Sequence, residues 1–252
     1  MNQHRRHRNK SKSLYIWHRY TGLFAALFVI FITISGITLN HTDDLALKNK
    51  HVSSNFLLNL YNVQSPTVVR QFIAGQQVIT QADDILFIDG NNSLAINSSL
   101  VGGVVYEEFI VIALTNKLLL VDSTGQLLET LSKTGGIPNN ISKIGLDEEQ
   151  HVNVLSENIL YRLDANLVLQ VAPLNHNVTW SQNKPVSTIN KLAISERYRA
   201  NIISLETLML DIHSGRFFGS YGTLFFDFVG VILLFLACTG VIIWARQRPK
   251  KS

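Results

Sequence analysis

The chain of 252 residues holds a single cysteine, Cys238, so no disulfide closes within it and a dithiol redox centre is excluded. Charge is scarce as well. Only 16% of the residues are Asp, Glu, Lys or Arg against 46% hydrophobic, which leaves apolar material over after one sizeable domain has folded. Catalytic signatures are missing: there is no G-x-S-x-G nucleophile turn, no phosphate-cradling glycine loop and no H-E-x-x-H zinc helix. The sequence therefore assigns no catalytic residue and no metal site. His4 and His7 stand in a basic stretch with no partner ligands beside them.

What is present is an apolar excess in two blocks, Leu23 to Leu39 and Leu224 to Trp244, each close to the ~20 residues that cross a hydrocarbon core. A helix satisfies its own backbone in lipid, so such runs read as spanning helices. Trp17 and Tyr20 flank the first and Trp244 closes the second, where amphipathic rings sit at headgroup level. The first block is long for the apolar core of a signal peptide. Its end, Ser35-Gly36-Ile37-Thr38-Leu39-Asn40, offers no small-x-small cleavage site.

Acidic residues are absent from both flanks. Arg5, Arg6, Arg8, Lys10, Lys12 and Arg19 precede the first span, and Arg246, Arg248, Lys250 and Lys251 follow the second, which orients both tails to the cytoplasm. The rest of the chain keeps 12 of the 22 basic residues and, Asp227 apart, 17 of the 18 acids. The overall charge of +4 thus belongs to the tails and points to anionic lipid headgroups, with no nucleic acid as partner. The predicted organisation is a basic, disordered cytoplasmic tail (1–16), a first transmembrane helix (17–40), a domain on the far side of the membrane (41–222), a second transmembrane helix (223–244) and a basic cytoplasmic tail (245–252).

Within that domain, short apolar runs predict antiparallel strands to about residue 172: Val78 to Thr80, Ile85 to Asp89, Phe109 to Leu114, Lys117 to Asp122, Gln126 to Leu131, His151 to Leu155, Ile159 to Asp164 and Leu167 to Val171. Turns at Asp89-Gly90-Asn91-Asn92, Ser123-Thr124-Gly125 and Asp164-Ala165-Asn166 separate several of them. A faint repeat aligns Asn116 to Asp122 with Asn158 to Asp164, a period that suits a propeller blade. A closed propeller needs at least four blades, so a small open sheet or sandwich is expected. From 187 to 212 the period changes to that of one or two amphipathic helices. The fold class is a membrane protein with two antiparallel transmembrane helices and an α+β, strand-rich domain.

The first span opens Trp17-His18-Arg19-Tyr20-Thr21-Gly22 and ends Ser35-Gly36-Ile37-Thr38-Leu39-Asn40-His41. The second opens Asp211-Ile212-His213-Ser214-Gly215-Arg216-Phe217-Phe218-Gly219 and ends Thr239-Gly240-Val241-Ile242-Ile243-Trp244. These two ends of the chain resemble the PepSY-associated transmembrane helix family of bacterial inner-membrane proteins. Ile212 stands where the family has leucine. The turn within Lys117 to Leu128 is similar to the closing hairpin of a PepSY domain. The resemblance implies an inner-membrane protein with a periplasmic domain. It also implies a link to iron uptake, since larger members of the family are haem-containing reductases of ferric siderophores with more spans.

His18 and His41 are 23 residues apart, about 34 Å of helix, and so lie at opposite faces of the membrane. His41 and His213 share one face and could supply two axial nitrogens to a b-type haem, with a dimer or partner completing the enclosure. The alternative for all three histidines is an interfacial residue hydrogen-bonded to backbone or lipid. Asp227, just inside the second span, reads as a proton relay or counter-ion, or as a carboxylate that reaches the surface or pairs with Arg216 or His213. Arg216 could bind a headgroup, a propionate or Asp227. Gly22, Ala25, Ala26, Ser35 and Gly36 on one helix and Gly230, Ala237, Thr239 and Gly240 on the other are the small residues of a helix seam. Three functions stay open: an accessory or binding component of iron acquisition or membrane redox metabolism, a b-type haem electron-transfer subunit, and a membrane-anchored regulator of a periplasmic enzyme. The partners expected are the bilayer and a membrane or periplasmic protein, or a second copy.

Overall fold

The computed structural model describes residues 3–90, 92–173 and 177–247, with side chains between Tyr15 and Ala245. The C-terminal end of the basic tail (248–252) and Asn91 of one expected turn lie outside the described residues, as do the side chains of His4 and His7. The chain forms two compact units, Met1–Leu57 with Asn201–Ser252, and Leu58–Ala200.

The first unit is a helical hairpin. Helix α1 (Gln3–Asn40) contains the apolar segment Tyr15–Asn40, and the 3-10 turn Arg216–Phe218 with helix α5 (Gly219–Gln247) makes the segment Arg216–Ala245, each long enough to cross a membrane. Helix α1 starts at Gln3, so the basic segment expected to be disordered is helical. No glycine or proline occurs before Gly22, and nothing in that stretch stops the helix. Helix α2 (Asn55–Leu60) lies at the junction of the units in sequence. Helix α4 (Leu205–Ser214) is capped by the Ser204 side chain, which accepts from Thr207 N–H. The segment after α1 is stapled to the segment before α4: Val52 N–H donates to Ile203 O at 2.9 Å and Leu205 N–H to Lys50 O at 2.7 Å.

The second unit is built from three sheets in succession. Strands β1 (Val69–Ala74), β2 (Gln77–Ala82), β3 (Ile85–Ile88) and β4 (Asn92–Ala95) make the first, and β5 (Leu100–Tyr106), β6 (Phe109–Leu114), β7 (Lys117–Val121) and β8 (Leu127–Leu131) the second. The third is β9 (Ile141–Asp147), β10 (Val152–Ser156), β11 (Ile159–Leu163) and β12 (Leu169–Ala172), with β13 (Val178–Trp180) added beside β9. All neighbours are antiparallel. The single sheet or sandwich expected is thus replaced by three blade-like meanders. The faint repeat has a structural meaning, since β7 and β11 are the third strands of consecutive sheets. Helix α3 (Thr188–Arg199) packs Ile194 against Ile85 and Phe87 of the first sheet.

The middle sheet explains the unbroken apolar runs. Ile110, Ile112 and Leu114 with Leu119 and Val121 face the first sheet, while Val111, Ala113, Leu118 and Leu120 face the third. A strand buried on both faces shows no alternation. The first strands of the sheets approach closely because glycine is there: a Cβ on Gly102 would sit 2.8 Å from both Ile144 and Ser181. The segment after β13 stitches these strands together, with Ser181 N–H on Ile144 O (2.8 Å), Gly103 N–H on Ser181 Oγ (3.1 Å) and Lys184 N–H on Gln71 O (2.7 Å).

One turn chemistry recurs. A carboxylate oxygen accepts from backbone N–H groups two and four residues on at Asp122 (Thr124, Gln126), Asp147 (Glu149, His151) and Asp164 (Asn166, Val168). Asp147 is 6% exposed, and its other oxygen takes the Asn153 amide at 3.0 Å and the Arg162 guanidinium at 2.9 Å. Burial pushes its pKa up, but the Asn153, His151 and Arg162 donors outweigh burial and hold it below the usual carboxylate value. Because the folded-state value is the lower one, this stabilisation is complete above the ordinary carboxylate range and is lost as pH falls through it. Asp147→Ala is expected to lower domain stability by about 2 kcal/mol, since it removes a buried carboxylate that accepts from two backbone N–H groups and the Asn153 amide and leaves the half-buried Arg162 with only Glu149 at 3.7 Å. It should also flatten the acid-side dependence of the urea midpoint, followed by Trp180 fluorescence. An unchanged midpoint and pH slope would remove Asp147 from this role.

Candidate functional site in the transmembrane hairpin

Two histidines are built into the seam between the helices. On the terminal side of the hairpin, His18 Nδ1 of α1 lies 2.9 Å from Thr239 Oγ1 of α5. On the loop side, His213 Nδ1 of α4 lies 2.7 Å from Ser35 Oγ of α1. Each hydroxyl donates its one proton back to its own helix, Thr239 to Phe235 O at 2.9 Å and Ser35 to Phe31 O at 2.8 Å. The same hydroxyl oxygen lies within hydrogen-bond distance of the imidazole Nδ1, which holds each ring in place and leaves Nε2 outside this contact.

A glycine follows each hydroxyl and receives the ring. His213 Cε1 is 3.5 Å from where a Cβ on Gly36 would be, and His18 Cε1 is 3.5 Å from the same point on Gly240. The hairpin thus carries two like latches in opposite senses: a histidine near the start of one arm rests on the Ser-Gly or Thr-Gly pair near the end of the other. Gly215 makes the loop-side latch possible. Its φ of 77° ends α4 in the left-handed region, and a Cβ there would lie 2.5 Å from Phe226.

The rest of the seam is apolar and aromatic. Ala25 and Val229 are 1% exposed and Ser35 and Thr239 are 4% and 5% exposed. Gly22 faces Leu236. Phe28 meets Phe225 edge-on at 5.5 Å and Phe31 meets Phe226 at 6.2 Å. Ala26 and Ala237 are exposed. Gly230 lies off the seam, for a Cβ there would meet nothing within 4 Å.

His41 and His213 are held by different groups. His41 is exposed, with Nδ1 2.9 Å from Asp44 Oδ2, while His213 is engaged by Ser35. Arg216 Nε pairs with Asp211 Oδ1 at 3.1 Å. Asp227 is exposed on α5 and has no hydrogen bond or ion pair among the described residues. Sequence reasoning treated the histidines and the small residues separately and missed that they meet; the signal available was a histidine and a Ser/Thr-Gly pair at opposite ends of both arms.

A second candidate site is a cleft of about 580 Å³ in the strand-rich unit, at the ends of β1, β5, β9 and β13. Its lining includes Ile73, Val105, Gln150, Trp180, Gln182 and Lys184. Lys143 lies 5.7 Å from the Trp180 ring centroid. No group of three or more His, Cys, Asp or Glu side chains is placed to hold a metal ion among the described residues.

Two apolar helices long enough to cross a membrane, with a strand-rich domain inserted between them, define a membrane protein. The chain belongs to the PepSY-associated TM region family, whose sequence profile matches residues 2–247, nearly its whole length and not only the two ends where the resemblance was read. No curated protein and no solved structure matches it.

Removing one latch hydroxyl, Ser35→Ala or Thr239→Val, is expected to cost about 1 kcal/mol of hairpin stability, measured by SDS titration of the purified protein. Ser35→Ala with His213→Ala should be non-additive, whereas Ser35→Ala with Thr239→Val should add. Full additivity of the first pair would mean that no latch exists there.

Proposed function

We propose that the chain is an accessory protein of the bacterial inner membrane, acting in iron acquisition or membrane redox metabolism. Both termini are in the cytoplasm, and the strand-rich domain binds a ligand or protein partner in the periplasm. The basic residues of both tails favour this orientation, and the family supports the membrane setting. The observation that carries the reading is the engagement of His18 and His213 in the seam latches, which makes the hairpin an anchor and leaves the cleft beside Trp180 and Lys184 as the binding site.

A second reading rests on the Nε2 atoms of His18 and His213, which the latches do not use. With Nδ1 of each ring engaged by a hydroxyl, Nε2 is the nitrogen left to bind a ligand. His18 and His213 fit as one axial ligand each for a b-type haem near either face, the second ligand coming from another chain. Haem would supply one-electron transfer; the residues of this chain would orient the imidazoles and hold the arms together.

The visible spectrum of detergent-purified protein, expressed with ample haem and recorded oxidised and then dithionite-reduced, separates the two. The accessory reading expects no stoichiometric Soret band. A band at one or more haems per chain, lost in His18→Ala with His213→Ala, would replace it with electron transfer. If the cleft is the binding site, Trp180→Ala with Lys184→Glu is expected to abolish function in an iron-limited growth complementation assay at unchanged membrane level. Full complementation by that variant would rule the cleft out.

A further inference from the structure

Asp227 is the single acid in the two membrane segments, Tyr15–Asn40 and Arg216–Ala245. It stands 17 residues from Trp244 along α5, about 26 Å of helix, and with Trp244 at headgroup level this keeps it within the ~30 Å hydrocarbon core. It is exposed to the bilayer, flanked by Leu224 at 66% exposure and Phe228 at 61%. An ionised carboxylate in that position is costly until it is paired.

None of the described residues pairs it. The cation nearest to it in sequence, Arg216, is engaged with Asp211, and His213 is held by Ser35. The face on which Asp227 lies is turned from the seam that buries Val229 and Thr239. One turn further along that face is Gly230, where a Cβ would meet nothing within 4 Å, and another turn on is Leu234, 66% exposed. A carboxylate beside a glycine notch suits a helix that comes close and brings a cation, because small residues let lipid-embedded backbones approach. A second copy of the chain does not meet this need. A two-fold axis along the membrane normal would set Asp227 opposite itself at the same depth, and like charges repel.

We infer that the Asp227 face of α5 is a docking surface for the transmembrane helix of a different membrane protein, one that carries lysine or arginine at the depth of Asp227. The proposal concerns the membrane face and stands apart from the reading of the domain cleft and from the haem question. A photo-cross-linking residue at Leu234 of the full-length chain, activated in native membranes, tests it. The expected product is one adduct of discrete mass whose peptide spectrum maps to a membrane span with a Lys or Arg. Its yield should fall roughly tenfold in Asp227→Leu. Asp227→Lys should lose the adduct, and changing the partner's basic residue to Glu should restore it. An adduct of twice the chain mass, an adduct to phospholipid alone, no adduct, or a yield indifferent to Asp227→Leu would each overturn the inference.

Discussion

The hydrogen bond between an imidazole and a helix hydroxyl is the contact on which the membrane part of this protein depends. In lipid the hydrophobic effect gives two apolar helices no reason to associate, since each is as well solvated by acyl chains as by the other. What draws the arms together is directional and local: His18 on Thr239, His213 on Ser35, and a glycine under each ring. The aromatic pairs Phe28–Phe225 and Phe31–Phe226 fill the seam between them. Because each hydroxyl also bonds its own helix backbone, the contact fixes the position of both rings.

The strand-rich unit rests on a different constraint, the burial of the middle sheet on both faces. Strands β6 and β7 hold apolar residues at every position that faces a neighbouring sheet. The first strands of the sheets can pack closely only where side chains are absent, at Gly102 and Gly103, while Gly145 makes room for the added strand β13. The segment through Ser181 and Lys184 then supplies the hydrogen bonds that those strands would otherwise leave open.

The legibility of these features in the sequence follows from the physics of each. The spans were plain because length and polarity alone define them, and β6, β7 and β11 were plain because apolar runs between turns have few other readings. Strands β5 and β9 escaped notice because Gly102, Gly103 and Gly145 weaken the strand pattern for reasons that only the neighbouring strand reveals. β1 escaped notice because the adjacent Arg70 and Gln71 put one polar residue on each face and interrupt both apolar rows. The seam was half legible: small residues marked it, but Gly230 and Ala26 have the same chemistry and face away. The latches were not legible from either helix by itself, since a histidine at position 18 gives no sign that it will meet a threonine at 239.

The neck of the hairpin has a consequence for the architecture of the whole chain. His51 bridges Ser204, and Val52 and Leu205 bond across to Ile203 and Lys50, so residues 58–200 leave and re-enter the hairpin through a closed junction. Those bonds hold the two ends of the inserted segment a hydrogen bond apart, so the entropy of closing that long loop is met at the neck and not by the arms.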